Sequence, residues 1–204
     1  MNITLSSEKQ YGILFSGGIV SSLLLYCMMK GTPNAKIQPF TIAKSEGSML
    51  YADPIINYFN SKFGWNIPQT IEVGNPLMQS DLIHDYALSH IWMKHKYIDE
   101  VFIGVTRFPE EILIKDYPGV QPKEYVVRRT FQPQPIADIK VKMPFLLNTR
   151  DQILQIAYNE DLVDLLVLTK SCLNQTVGRC GHCWTCACRF SAFTTLEKTD
   201  PGTN

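Results

Sequence analysis

The chain has 204 residues, 45% of them apolar, and its 19 basic and 19 acidic side chains give a formal net charge of zero. This length suits one domain with a small appended module, and the apolar content excludes a disordered chain. Zero net charge argues against binding nucleic acid through a general basic field, and no apolar run is long enough to span a membrane. We therefore expect a cytoplasmic globular protein without a membrane or nucleic-acid partner.

Apolar runs of strand length alternate with helix-length amphipathic segments along the first half of the chain. The predicted strands are residues 11–15, 37–43, 67–73 and 99–106, and the predicted helices are residues 20–30, 49–63, 81–96 and 149–160. Residues 107–148 carry six of the 12 prolines and are predicted as an extended loop region at the carboxyl ends of the strands. The alternation favours a parallel sheet with helices on both faces.

A glycine loop separates the first predicted strand from the first helix. It consists of Phe15, Ser16, Gly17, Gly18, Ile19, Val20, Ser21 and Ser22. Glycines let backbone N–H groups approach an anion, and the positive end of the following helix dipole points to the same place. The loop therefore predicts a phosphate or pyrophosphate site, although an ordinary strand-to-helix turn can have the same composition. It matches neither the Walker loop nor the dinucleotide-binding G-x-G-x-x-G pattern.

Four cysteines near the C-terminus follow the pattern C-x7-C-x2-C-x2-C, and they are Cys172, Cys180, Cys183 and Cys186. Four thiolates at this spacing predict a closed tetrahedral zinc site, while an iron–sulfur cluster and free or disulfide-bonded cysteines are the alternatives. Gly178 and Gly181 allow sharp turns between ligands, and Lys170, Arg179 and Arg189 are expected to offset the negative charge of the thiolates. Trp184 and Phe190 are predicted to pack this segment onto the domain.

Both motifs together resemble the PP-loop ATP pyrophosphatase superfamily, and within it the 7-cyano-7-deazaguanine synthase family. Residues 16–21 are similar to the S-G-G-x-D-S signature of the superfamily. The family's zinc segment is matched by Thr169, Ser171, Cys172 and Asn174, followed by C-G-H-C-x-x-C-x-x-R from Cys180 to Arg189. Residues 143–153 are similar to the family segment that runs from Thr-Pro-Leu to Asp-Lys-x-Glu-Ile.

The resemblance implies a doubly wound, mainly parallel sheet of the adenine nucleotide α-hydrolase-like type. It also implies a nucleotide-binding domain over residues 1–168 and a structural zinc module over residues 169–204. The implied reaction converts 7-carboxy-7-deazaguanine and ammonia to the nitrile through an acyl-adenylate, with ATP and Mg²⁺ and with Ser16 and Ser21 as catalytic loop residues. The family further suggests a homodimer with no partner beyond its small-molecule substrates.

Three positions depart from the family pattern. Val20 stands where the signature has an aspartate that holds Mg²⁺ or orders the loop, and Arg150 and Gln152 replace a lysine and a glutamate. A valine can do neither task, so a catalytically impaired nucleotide-binding homologue and an enzyme that adenylates another substrate are the alternatives. A nucleic-acid-binding zinc module is a third hypothesis, and the neutral charge argues against it.

Overall fold

The computed structural model describes residues 2–42, 49–75, 83–107, 139–172, 174–181 and 183–202. The strands are β1 (Gln10–Leu14), β2 (Lys36–Ile42), β3 (Ile71–Val73), β4 (Glu100–Ile103) and β5 (Lys140–Lys142). The helices are α1 (Ile19–Gly31), α2 (Met49–Phe63), α3 (Ile83–Lys94), α4 (Arg150–Asn159), α5 (Val163–Leu168) and α6 (Trp184–Thr195). Across these described ranges, no helix has the length and apolar character required to cross a membrane.

The five strands form one parallel sheet in the order β3-β2-β1-β4-β5. The predicted parallel sheet is therefore confirmed. Strand β1 lies between β2 and β4, so the chain order reverses beside it: β2 and β3 extend to one side, β4 and β5 to the other. In open α/β sheets such a switch point opens a crevice at the carboxyl ends of the two strands, and ligands bind there. The glycine loop begins at that end of β1.

Helices cover both faces of the sheet. On one face, Tyr11, Ile13 and Phe15 pack in a core cluster with apolar side chains of α1, α2, α4, α5 and α6. On the other face, Leu14 joins a second cluster that includes Ala87 and Leu88 of α3. The alternation along β1 follows from the two-residue period of a strand, and the strand is apolar on both faces because neither face meets water.

Strand β3 is shorter than the predicted run of residues 67–73. Pro68 has no N–H to donate to a neighbouring strand. The N–H and carbonyl groups of Ile67 instead bind the side chain of Asn60, and the Thr70 N–H donates to Asp53. These local contacts keep the segment out of the sheet until Ile71.

The region predicted as an extended loop contains β5, which the sequence analysis missed. This three-residue strand pairs with β4, with Val101 opposite Val141. Three residues, Lys-Val-Lys, are too few to show the alternating pattern by which a strand is predicted from sequence. Residues 108–138 of the same predicted loop lie outside the described part of the chain, as do Ala43 and residues 81–82 of the predicted second strand and third helix.

Helices α1, α2 and α4 fall within one residue of their predicted bounds. At the start of α4, the Thr149 N–H donates to Oε1 of Gln152 at 3.0 Å, half of a capping box. Helices α5 and α6 were not predicted. Trp184 at the start of α6 is buried as expected, whereas Phe190 is 58% exposed.

Candidate nucleotide and metal sites

The glycine loop turns sharply between β1 and α1. Gly17 has φ +70°, and a Cβ there would lie 2.8 Å from the backbone carbon of Tyr51 in α2. Only glycine suits a position with both features. Gly18 is the N-cap of α1, so the helix begins at the switch point of the sheet, where the N–H groups of its first turn have no partner within the helix. Gly104, directly after β4, packs against the start of α1, because a Cβ there would lie 3.1 Å from the Ser21 nitrogen.

The serine hydroxyls of the loop bind one another and the loop backbone. Ser16 and Ser21 have their Oγ atoms 3.2 Å apart, and the Gly18 N–H points at the Ser16 oxygen from 3.4 Å. Ser21 and Ser22 both donate to the Gly18 carbonyl, at 3.1 and 2.8 Å. Ser22 is fully buried and Ser16 is exposed. Ser16 is therefore accessible to a ligand, whereas Ser22 stabilises the turn.

Val20 packs into the protein core. Its side chain is 8% exposed and belongs to the same apolar cluster as Ile19 and Leu23. Gly104 approaches the Val20 carbonyl carbon from the other side, where a Cβ would lie 3.2 Å away. This position therefore contributes an apolar side chain to packing and no oxygen to a cation.

The four predicted cysteine ligands meet in one place. The Sγ atoms of Cys172, Cys180, Cys183 and Cys186 all lie within 4.8 Å of one another. Cys180 is half-buried and the other three are buried. Gly178 and Gly181 have φ values of +74° and +71°, so the loop uses the left-handed turns that their lack of a side chain permits. This arrangement could hold a metal ion.

The backbone around the cluster favours a thiolate at Cys172. Burial alone would raise the pKa of this thiol, but backbone N–H groups of Cys180 and Asn174 donate to the sulfur and hold its pKa below the ordinary value. The Cys180 N–H lies 3.3 Å from the Cys172 Sγ. At Cys186, a hydrogen bond with Cys183 and burial both raise the pKa. A cation among the sulfurs would offset the cost of gathering several thiolates.

Arg189 of α6 organises the segment that leads into the cluster. Its side chain is 1% exposed. Nε and Nη2 form a bidentate pair with Asp200 at 2.6 and 2.7 Å, and Nη1 donates to the carbonyl and hydroxyl oxygens of Thr169 at 3.0 and 2.7 Å. The second Nη2 proton goes to the Leu166 carbonyl at 3.0 Å. All five guanidinium donors are thus used.

A second arginine joins this set of contacts. Arg179 also pairs with Asp200, so both guanidinium groups meet a carboxylate that lies in neither motif. Burial lowers the pKa of Arg189, and the bidentate contact with Asp200 opposes that effect. Arg179 and Arg189 thus share a carboxylate partner that the sequence did not indicate, and their expected effect on the thiolate charge stays a prediction. Asp200 was missed because only the folded chain brings it to Arg189, eleven residues earlier.

A backbone hydrogen bond joins the cysteine segment to the glycine loop. The Lys170 N–H donates to the Gly17 carbonyl at 2.9 Å, and a Cβ on Gly18 would lie 3.2 Å from the Lys170 carbonyl oxygen. Tyr51 strengthens the connection, because its hydroxyl donates to the Thr176 carbonyl and its ring lies 4.8 Å from the Lys170 Nζ. The two motifs are thus parts of one continuous region.

A parallel sheet, a glycine loop at its switch point and a four-cysteine cluster beside that loop define a Rossmann-like α/β protein of the PP-loop type. The chain belongs to the QueC family, because the family model described as "Queuosine biosynthesis protein QueC" matches residues 83–197. That match includes all four clustered cysteines and Arg189, and it begins after the glycine loop. No curated protein matches the sequence.

The solved structure of an NcsA protein supports the fold. U34-tRNA thiolase NcsA from Methanococcus maripaludis, a structure with its [4Fe-4S] cluster, superposes with a TM-score of 0.52 at 15% identity. The alignment covers 95% of this chain but only 66% of NcsA, so this chain spans just under two thirds of that protein. PH1313 from Pyrococcus horikoshii Ot3 gives a TM-score of 0.45 at 14% identity, covering 79% of this chain and 44% of that one.

Proposed function

We propose that this protein is an ATP-dependent ligase-like enzyme that converts 7-carboxy-7-deazaguanine and ammonia to the corresponding nitrile. Membership of the QueC family supports this activity. The observation that carries the proposal is the hydrogen bond from Lys170 to Gly17, which holds the family's cysteine segment against the glycine loop. A site built from both segments can bind a nucleotide and a second substrate side by side.

In the proposed reaction, a carboxylate oxygen of the substrate attacks the α-phosphorus of ATP and pyrophosphate leaves. Ammonia then attacks the acyl carbon, AMP leaves and an amide forms. A second ATP activates the amide oxygen, and loss of that oxygen with AMP gives the nitrile. Pyrophosphate would lie against residues 15–22, where the backbone N–H groups and helix dipole stabilise the departing charge. Mg²⁺ would neutralise part of that charge, and Ser16 and Ser21 are the proposed catalytic hydroxyls.

We assign zinc to the four-cysteine cluster. With Zn–S bonds of about 2.3 Å, a tetrahedral site has sulfur–sulfur distances of about 3.8 Å. Sulfur atoms that all lie within 4.8 Å of one another suit such a single ion. A cubane cluster requires wider spacing, because each thiolate binds a separate iron atom. Four thiolates leave no open position, so the ion would stabilise residues 169–204 as a module on the nucleotide-binding part, residues 1–168.

The decisive experiment combines the purified metal-containing protein with 7-carboxy-7-deazaguanine, ammonium and Mg·ATP. We expect two AMP and two pyrophosphate molecules per nitrile, quantified by liquid chromatography and mass spectrometry. Omitting ammonium should stop nitrile formation. If AMP and nitrile are both absent while the protein retains its metal, the proposed activity is rejected.

A second candidate function follows from the buried side chain of Val20. Without a carboxylate at this position, the loop has lost a group that could hold Mg²⁺ or order the turn. The alternative is a nucleotide-binding member of the family without ligase chemistry. Calorimetry that detects ATP binding, together with no AMP release over many hours, would select this alternative. Turnover by the unmodified protein would eliminate it.

We also propose that the protein acts on small molecules as a homodimer. Sedimentation equilibrium across a range of concentrations tests this assembly, and a mass of 23.2 kDa at every concentration would contradict it.

A further inference from the structure

Lys170 lies two residues before the first clustered cysteine, and its backbone contacts the glycine loop. Its backbone is fixed on the glycine loop from both sides, because its N–H donates to Gly17 and its carbonyl oxygen packs against Gly18. The Lys170 backbone therefore lies beside the loop proposed to bind pyrophosphate. The four-carbon side chain is long enough to bring an ammonium group from this backbone position to a bound phosphate.

The ammonium group lies over the aromatic ring of Tyr51. The Nζ atom lies 4.8 Å from the ring centroid, a distance typical of a cation–π contact. Tyr51 is itself fixed, because its backbone packs on Gly17 and its hydroxyl donates to the carbonyl of Thr176. The side chain of Lys170 is only half-buried.

A nucleoside triphosphate bound at the glycine loop would be stabilised by a cation from the cysteine segment. A nucleoside triphosphate carries several negative charges, and the loop itself supplies only dipoles from N–H groups and hydroxyls. Val20 contributes no oxygen ligand that would recruit Mg²⁺ to the loop. An ammonium group is a compact point charge that suits phosphate oxygens, and it needs no carboxylate to hold it in place.

We propose that Lys170 binds the pyrophosphate part of ATP and supplies charge that the missing aspartate–Mg²⁺ pair would provide. This assignment rests on the proposed nucleotide site at residues 15–22. Lys170 reaches the phosphates from the cysteine segment, so the zinc module contributes a side chain to the nucleotide site as well as stability.

Calorimetry on the metal-containing protein tests the assignment with ATP, pyrophosphate and AMP, in a buffer free of divalent cations other than the bound metal. Lys170→Met is the main variant. Lys198→Met is a matched control, because Lys198 also lies over a tyrosine ring, with its Nζ 5.5 Å from the centroid of Tyr158, and it is exposed. Lys170→Arg keeps the charge.

We expect Lys170→Met to weaken ATP and pyrophosphate binding about tenfold, the loss typical of one charge-assisted hydrogen bond. AMP binding should change less than twofold, Lys198→Met should match the unmodified protein, and Lys170→Arg should recover most of the affinity. Unchanged ATP affinity in Lys170→Met would overturn the assignment, and so would an equal loss for ATP and AMP, because a purely structural role affects both. If the unmodified protein binds neither ATP nor pyrophosphate, the assignment fails together with the nucleotide site. If it shows the expected binding pattern but forms no nitrile, Lys170 keeps its role and only the proposed reaction is rejected.

Discussion

Replacing Asp200 by asparagine should destabilise the protein far more than the same change at an exposed ion pair. Arg189 is 1% exposed at its side chain and Asp200 is 17% exposed, so the pair is nearly removed from water. Asparagine retains the shape and one acceptor oxygen but removes the charge, which leaves a buried guanidinium without a counterion. Breaking a buried pair in this way costs about 3–5 kcal/mol. The remaining hydrogen bonds from Arg189 to Thr169 and Leu166 place the expected cost near the lower end.

Thermal unfolding followed by circular dichroism measures this cost. For a chain of this length, about 3 kcal/mol corresponds to a fall in Tm of about 6–12 °C. Asp164→Asn is the control, because Asp164 pairs with Lys62 at 3.0 Å while their side chains are 56% and 33% exposed. Exposed pairs contribute about 0–1 kcal/mol, so the control should lower Tm by no more than about 4 °C.

The same variant tests whether the buried pair also supports the metal site. Arg189 holds the Thr169 carbonyl and hydroxyl, three residues before Cys172, so Asp200→Asn should release metal to a chelator faster than Asp164→Asn does. Equal Tm values for the two variants would refute the assigned energetic role of the buried pair. A large fall in Tm with an unchanged rate of metal release would refute its role in positioning the cysteine segment.

Three further predictions concern pH, the metal ligands and the glycine loop. Burial raises the pKa of Asp200, but hydrogen bonds and charge from Arg189 outweigh burial and hold it below its ordinary value. The stabilisation is therefore present at neutral pH and is lost as pH falls below about 4, so the Tm difference between the unmodified protein and Asp200→Asn should shrink between pH 7 and pH 3. Cys186→Ala should abolish stoichiometric zinc in elemental analysis, whereas Cys188→Ala, at a buried cysteine outside the cluster, should retain one ion per chain; equal metal contents would contradict the ligand assignment. Gly64→Ala should cost about 1–2 kcal/mol in urea unfolding because φ is +67° with nothing within 4 Å of the new Cβ. Gly17→Ala should cost clearly more, since φ is +70° and the Cβ would lie 2.8 Å from Tyr51, and similar values for the two variants would contradict the close packing.

The elements that the sequence predicted well are those specified by local pattern. The apolar strand β1 and the amphipathic helix α2 appear with bounds at or within one residue of the expected ones. The cysteine cluster was also predictable, because a knuckle with three ligands in seven residues is nearly a local structure. By contrast, β5 is defined by its pairing with β4, and a three-residue strand has too little pattern to be recognised without its neighbour.

The candidate site was predictable in its ligands and not in its supports. Asp200 and Tyr51 belong to neither motif, and each acts across a long sequence separation: Tyr51 reaches Thr176, and Asp200 reaches two arginines. A single aspartate or tyrosine in a sequence gives no indication of such a partner. The carboxylate partner of Arg189 was not predictable for the same reason, because only the fold brings Asp200 to it.

The supporting contacts connect the four-cysteine cluster to the glycine loop. From Asp200, hydrogen bonds run to Arg189, then to Thr169, whose next residue, Lys170, is bonded to Gly17. Each link is a buried or half-buried hydrogen bond, and such bonds are costly to break without a replacement partner. The glycine loop therefore has one wall made of the segment that the four cysteines hold. Loosening that segment would remove the Gly17 contact and the support for Tyr51 together, so a metal bound by the cysteines would support the proposed nucleotide site through the backbone and without contacting the ligand.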